Sequence, residues 1–169
     1  KLEYLMKNKN IGIIKMEVQR NINPKDDFLF DKTYVEERYT NRQMIKSIFG
    51  NEFDYDCKVI YYVPTFRSFK SELPIKLLNG FDQKTFFDFL EKENIYFLYS
   101  DHPSSLFIGD FHENKYVVKI KPDKNALFDN IELMMEIDML IGDYSTLSTD
   151  FSILRRPQLF VMPDYDKVR

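Results

Sequence analysis

DMLIGDYSTLSTD, residues 138–150, is the stretch that decides the fold. Asp138-Met139-Leu140-Ile141 is a short, mostly apolar run that ends at Gly142 and turns at once into the polar cluster Asp143-Tyr144-Ser145-Thr146, after which apolar spacing resumes. A strand covered on both faces reads as such a run, and a helix N-terminus reads as such a Ser/Thr cluster. The pattern predicts a strand over 138–141 and a helix over 145–154. Arg156-Pro157 ends that helix, and Gln158-Leu159-Phe160-Val161 follows as a strand.

Working back along the chain, the same alternation recurs. Val59 to Val63, Ile95 to Tyr99 and Tyr116 to Ile120 read as strands. Between them Asp82 is an N-cap for a helix over 83–93 with an apolar stripe of Phe86, Phe87, Phe89 and Leu90. Residues 126–135 read as a helix leading into the strand at 138. Tyr34 to Phe49 has helical spacing, with Gly50 as its stop. Short buried strands separated by helices are the mark of βαβ units, so the expected class is α/β: a Rossmann-like parallel sheet with helices on both faces. The first 31 residues are irregular, with a short alternation at Ile11-Gly12-Ile13-Ile14 and a turn at Asn23-Pro24. They are expected to be a segment entering the domain, the end of an N-terminal domain or a connection to one. Residues 32–169 are expected to be the domain proper, cut short at its C-terminus; a start at Lys1 and a stop at Val168-Arg169 read as a piece of a longer protein.

Composition bounds the function. The chain has 169 residues, enough for one core, with 44% hydrophobic and 30% charged residues and a net charge of -3. That balance gives no sign of disorder or of a basic nucleic-acid surface, and no nucleic-acid partner is expected. One cysteine, Cys57, and two distant histidines give neither a disulfide nor a zinc spacing, so no metal is expected and a reducing compartment is the simplest setting. No apolar run approaches the ~18 residues of a membrane span. No Gly-x-Gly-x-x-Gly or Walker-type loop occurs, and the aromatic residues fall in strands and apolar helix faces, where they read as core.

In an open parallel sheet, ligands lie beyond the carboxyl ends of the strands. Three such ends carry polar clusters. In Pro64-Thr65-Phe66-Arg67, a hydroxyl and a guanidinium follow a strand and suit phosphate oxygens; alone, they read as a loop threonine and a solvated arginine. In Ser100-Asp101-His102-Pro103, proline restricts the backbone at His102, whose imidazole can donate to a phosphate or act as a general acid toward a departing one. A lone histidine is more often structural, and His112 in a polar loop is a weaker candidate. At Asp143 to Asp150, Ser145, Thr146 and the amides of the first helical turn offer donors to a diphosphate. An N-cap explains one hydroxyl there and leaves the rest of the cluster without a reason.

These residues also resemble a family. "VIYYVPTFRSF" (59–69), "YSDHP" (99–103) and above all the run from Asp138 to Arg169 are similar to the CDP-glycerol glycerophosphotransferases, which include the teichoic acid polymerases and primases of Gram-positive cell walls. "INPKDDFLF" (22–30) resembles that family's Gly-x-Pro-Arg-Asn-Asp segment, with Lys25-Asp26-Asp27 in place of Arg-Asn-Asp. The resemblance implies one half of a GT-B-type fold, the C-terminal, donor-binding one. It implies transfer of glycerol phosphate, or a similar polyol phosphate, from a CDP-activated donor with release of CMP, in cell-wall or capsule polymer synthesis, without a cofactor.

By similarity, Ser145 and Thr146, with Tyr144, hold the donor diphosphate, Arg67 and Thr65 help to neutralise and grip it, and His102 matches the histidine of the family's His-Pro motif. Asp143 and Asp150 match acidic positions with a donor-positioning role. The family's other histidine lies in a His-Gly-Thr motif of the N-terminal domain that this sequence lacks, so the isolated chain is expected to bind donor and turn over little or none. The implied partners are the CDP-linked donor, a lipid-linked glycan or polyol-phosphate acceptor met through an N-terminal domain, and, as an open alternative, a second copy in a homo-oligomer. The implied location is cytoplasmic, peripheral at the membrane. Ser100 stands where the family often has a lysine, which leaves CDP-ribitol or another CDP-linked donor open. Two other readings remain beside it: a GT-B glycosyltransferase using a nucleotide sugar, and a nucleotide-binding module without catalysis.

Overall fold

The centre of the molecule is β2 (Lys58–Val63), flanked in parallel by β3 (Ile95–Tyr99) and β5 (Met139–Gly142). The computed structural model describes residues 11–12, 27–102, 104–120 and 130–168. β4 (Val117–Lys119) continues the parallel sheet beyond β3, and β6 (Gln158–Val161) continues it beyond β5. The two-residue β1 (Ile11–Gly12) adds an antiparallel edge, Ile11 opposite Val161 and Gly12 opposite Phe160, so the order is β1-β6-β5-β2-β3-β4. The chain winds outward from β2 to β4 on one side, then crosses back to β5 and winds the other way. That is the Rossmann-like order, and its reversal places a topological switch point between β2 and β5.

The period of two along the strands divides the core. Val59, Tyr61, Tyr96, Leu98 and Leu140 face one layer, packed with Met44, Ile45, Leu133, Met134 and Phe151. Tyr62, Phe97, Tyr99, Ile141 and Leu159 face the other, packed with Leu73, Ile75, Leu90 and Phe111. The first layer carries α2 (Lys32–Asn41), α3 (Gln43–Phe49), α5 (Asn130–Glu136) and α6 (Leu147–Ser152). The second carries α4 (Gln83–Lys92) and a 3-10 turn at Pro74–Leu77. Two short helices complete the set, α1 (Asp27–Phe30) against α2 and α7 (Tyr165–Val168) after β6. The expected α/β class, with helices on both faces, is the fold observed.

Several boundaries differ from the sequence reading. The single helix expected over 34–49 is two, because Arg42 sits in the left-handed region at φ 43°. That conformation costs an L-residue ~1–2 kcal/mol. It is offset because the turn buries the Arg42 side chain, which donates to Asp138 Oδ2 at 2.9 Å and to the Cys57 carbonyl at 3.2 Å. Arg42 offers no side-chain cap to α3, so Glu136 reaches over from α5 and accepts the amides of Met44 and Ile45 at 2.9 and 3.1 Å. Gly50, at φ 80°, ends α3 as expected. Asp82 caps α4 through the Thr85 amide at 2.8 Å. The strand expected over 116–120 is confined to Val117–Lys119. Of the helix expected over 126–135, residues 126–129 lie outside the described residues, and α5 runs from Asn130 to Glu136. The helix expected over 145–154 is shortened to α6, for the reasons given below.

Candidate functional site

Because β3, β2 and β5 are parallel neighbours, their carboxyl ends share one edge of the sheet. The three polar clusters expected to meet therefore do meet, with the β2 and β5 ends on either side of the switch point. Close approach at this edge is eased by Gly142: a Cβ there would lie 2.9 Å from Ser148 Oγ, so glycine lets α6 pack on the strand end without displacing that hydroxyl.

At the centre is a carboxylate. Asp143 is buried, and its Oδ1 accepts the Thr65 amide at 2.9 Å, the Thr65 hydroxyl and its neighbour Tyr144's amide at 2.7 Å. Its Oδ2 accepts Arg67 Nη2 at 2.8 Å. Arg67 is 1% exposed and gives its remaining donors to Asp164 Oδ2 at 2.6 Å, Asp164 Oδ1 at 3.1 Å and the carbonyls of Thr65 and Phe66 at 2.8 and 3.4 Å. A guanidinium has five N–H donors, and all five are engaged. This corrects the sequence reading of Arg67 and Thr65 as phosphate contacts. Both are held by Asp143, and Asp143 acts as a tie between the β2 and β5 loops, out of reach of a ligand. Burial opposes the charge on Arg67, and the hydrogen bonds and fields of Asp164 and Asp143 outweigh it, so its pKa is raised.

The first turn of α6 is also altered from expectation. Ser145 Oγ accepts the Leu147 amide at 3.2 Å, Ser148 N donates to the Ser145 carbonyl at 3.2 Å and Thr149 N to the Thr146 carbonyl at 2.9 Å. These bonds start the helix at Leu147, two residues later than the spacing suggests, and use up its first amides. The left-handed turn at Arg155, φ 55°, stands between its end at Ser152 and Pro157. What is left for a ligand is smaller and better defined. The amides of Ser145 and Thr146 have no acceptor among the described residues, Ser145 retains its hydroxyl proton, and the exposed Thr146 makes no side-chain cap bond. Asp150 is half-buried one turn further along α6.

His102 is exposed at the β3 end, and its Nδ1 accepts the Ser104 amide at 3.1 Å. Holding a lone pair at Nδ1 assigns the neutral ring's proton to Nε2. Phe66, from the β2 loop, stands edge-on to this ring at 5.7 Å between centroids. Tyr144 is exposed on the other side, its ring 5.5 Å above the Arg67 guanidinium carbon and stacked on Tyr165 at 6.3 Å. Phe66, Ser104, Asp164 and Tyr165 were not singled out by the sequence. Asp164 lies 97 residues from its partner, and no local pattern joins them. Ser100, at the position where a lysine was expected, turns inward and donates to the Tyr61 hydroxyl at 2.7 Å, which in turn donates to Asn130 Oδ1 at 3.1 Å. Two surface concavities lie elsewhere, one between α2, α3 and Glu136 and one beside Phe49 and Tyr96, and neither includes these residues. Among the described residues no helix is long and apolar enough to cross a membrane.

The family model of the CDP-glycerol:poly(glycerophosphate) glycerophosphotransferases matches residues 8–169. The chain belongs to this family. It is 31% identical over 151 residues to the teichoic acid poly(ribitol-phosphate) polymerase of Bacillus spizizenii (strain ATCC 23059 / NRRL B-14472 / W23), covering 85% of this chain and 22% of that protein. It is 38% identical over 109 residues to the teichoic acid glycerol-phosphate primase of Bacillus subtilis (strain 168), covering 63% of this chain and 26% of the primase. The wall teichoic acid polymerase TagF, solved as a histidine-to-asparagine variant, superposes with a TM-score of 0.63 at 25% identity, covering 89% of this chain and 35% of that one. The same variant soaked with CDPG gives a TM-score of 0.58 at 26% identity, covering 86% and 32%. The family member described here spans roughly a fifth to two fifths of the length of the curated relatives it matches.

Proposed function

We propose that this chain is the donor-binding half of a transferase that moves glycerol phosphate, or a related polyol phosphate, from a CDP-activated donor to a glycan or polyol-phosphate acceptor in cell-wall polymer synthesis. The observation that carries the reading is the meeting of His102, Ser145 and Thr146 on one edge of the sheet, across the switch point where Rossmann-like sheets take their ligands. The unassigned amides of Ser145 and Thr146 and their two hydroxyls suit the oxygens of a diphosphate. Tyr144 lines the same mouth, and Asp143 and Asp150 act on donor placement through the loops they belong to. Membership in the family, and the solved TagF soaked with CDPG, support a CDP-linked donor.

In this reading the acceptor hydroxyl attacks the β-phosphorus in line, a new P–O bond forms, and the bond from that phosphorus to the bridging oxygen breaks. The bridging oxygen leaves on CMP. His102, with its proton on Nε2, is placed to protonate it, and the two Ser145 and Thr146 amides bind the charge that builds on the phosphoryl oxygens. The acceptor's proton goes to a base outside this chain, and no cofactor takes part. A peripheral place at the cytoplasmic face of the membrane, where lipid-linked acceptors are met, belongs to the same proposal.

Calorimetry of the chain with CDP-glycerol, CDP-ribitol, CDP and UDP tests it. Binding of the CDP compounds and not UDP is expected. Preference for UDP would favour a nucleotide-sugar glycosyltransferase, and no binding to any of them a module without a working site.

A further inference from the structure

We propose that Asp164 is a positioning residue of this site: by holding Arg67 against Asp143 it sets the β2 loop so that Phe66 fixes the His102 imidazole with its proton on Nε2. The inference rests on the preceding reading for the identity of the donor alone. Asp164 lies in the turn between β6 and α7, is 5% exposed, and forks onto Arg67 through both oxygens, at 2.6 Å to Nε and 3.1 Å to Nη2. Arg67 and Thr65 flank Phe66, and both are tied down, Thr65 by its amide and hydroxyl on Asp143 and Arg67 by five hydrogen bonds. The residue between two anchored neighbours has little freedom. Its ring is presented to solvent at 41% exposure and meets His102 edge-on at 5.7 Å. A second arm of the same clasp carries Tyr144, above Arg67 and stacked on Tyr165, the residue next to Asp164. One buried ion group thus sets the aromatic surfaces on both sides of the mouth.

A clasp and a simple field effect predict opposite signs. Arg67 is one cation between two carboxylates. If field alone mattered, removing the Asp164 charge would free part of the guanidinium and tighten an anionic ligand. If Asp164 positions the site, the same change loosens the β2 loop and weakens the ligand.

The test takes Asp164→Asn, Asp164→Glu and Phe66→Ala in the whole chain, with thermal melts as a check on folding. Two readouts follow: calorimetry with CDP-glycerol, and long-range ¹H–¹⁵N correlation of the His102 ring nitrogens without ligand. Asp164→Asn is expected to weaken CDP-glycerol at least tenfold and to move His102 from the Nε2–H tautomer toward a mixture, with Asp164→Glu recovering part of both. Phe66→Ala removes an exposed ring, leaves the melt unchanged and is expected to reproduce the tautomer change. Equal or tighter donor binding in a folded Asp164→Asn overturns the proposal, as does an unchanged His102 spectrum in Phe66→Ala. If Asp164→Asn does not fold, the Phe66→Ala spectrum decides. If the wild-type chain binds no CDP-glycerol, the donor reading fails, and the unliganded spectra still judge the positioning claim.

Discussion

Replacing Asp143 by alanine should be among the most damaging single changes available in this fold. The carboxylate is 4% exposed and accepts four hydrogen bonds, from the Thr65 amide and hydroxyl, the Tyr144 amide and Arg67. Its removal leaves Arg67, 1% exposed, with one carboxylate partner where it had two, and leaves three further donors short of an acceptor. Breaking a buried ion pair from one side costs about 3–5 kcal/mol. Water reaching the loosened loops will satisfy some of the freed donors, so the lower half of that range is the better figure. In a domain of this size it corresponds to a fall in Tm of roughly 6–16 °C. The chain has no tryptophan, so far-UV circular dichroism during urea unfolding is the suitable probe. A lowered midpoint with an unchanged slope is expected. Asp143→Asn, which keeps the shape and part of the hydrogen bonding, should cost less. A double cycle with Arg67→Ala should show coupling above about 0.5 kcal/mol. A loss below about 1 kcal/mol for Asp143→Ala, with no coupling to Arg67, would refute the view of Asp143 as the tie between the β2 and β5 loops.

Three further outcomes are expected. Gly142→Ala, which puts a Cβ 2.9 Å from Ser148 Oγ, should destabilise by about 1–3 kcal/mol, and Ser148→Gly should restore part of that loss in a melt of the double variant. Ser145→Ala combined with Thr146→Ala should weaken CDP-glycerol by about 1.5–3 kcal/mol per charge-assisted bond lost, read by calorimetry, beside a loss of about 0.5–2 kcal/mol in stability because the Leu147 amide loses the Ser145 oxygen. Burial works against ionisation of Asp138, but bonds from the Tyr39 hydroxyl and the Val59 amide, the Arg42 charge and Lys58 outweigh it and lower its pKa. A lowered folded pKa gives stability that is present above the unfolded-state value of about 4 and lost as pH falls below it toward the folded value. Urea midpoints should therefore drop below about pH 4, and Asp138→Asn, though less stable at neutral pH, should show a shallower drop.

Much of this fold was legible because parallel strands covered on both faces must be apolar at nearly every position. The runs at 59–63, 95–99, 138–141 and 158–161 announced β2, β3, β5 and β6 for that reason, and the helices between them implied that the strands run parallel. Asp82 was readable as a cap because its bond to the Thr85 amide is local. Arg42 was not readable as a break, since its left-handed turn is held by Asp138 and Cys57, distant in sequence. The same limit applies at the site. That His102, Ser145 and Thr146 share an edge followed from the parallel direction of the strands they end. That Arg67 is spent on two carboxylates did not, because Asp164 enters from beyond β6 and marks itself by nothing but a proline-bordered turn. An arginine after a strand looks the same in sequence whether it faces a ligand or a buried acid.

The donor-binding reading places the CDP-linked donor on the carboxyl edge of β3, β2 and β5. Titrating the isotopically labelled chain with CDP-glycerol and following backbone amides tests it most directly. The largest shifts are expected on Ser145, Thr146, Phe66 and His102, with Asp138 and Glu136 at the opposite edge unmoved. Shifts centred on Asp138 and Glu136, or on the concavity beside Phe49 and Tyr96, would contradict it.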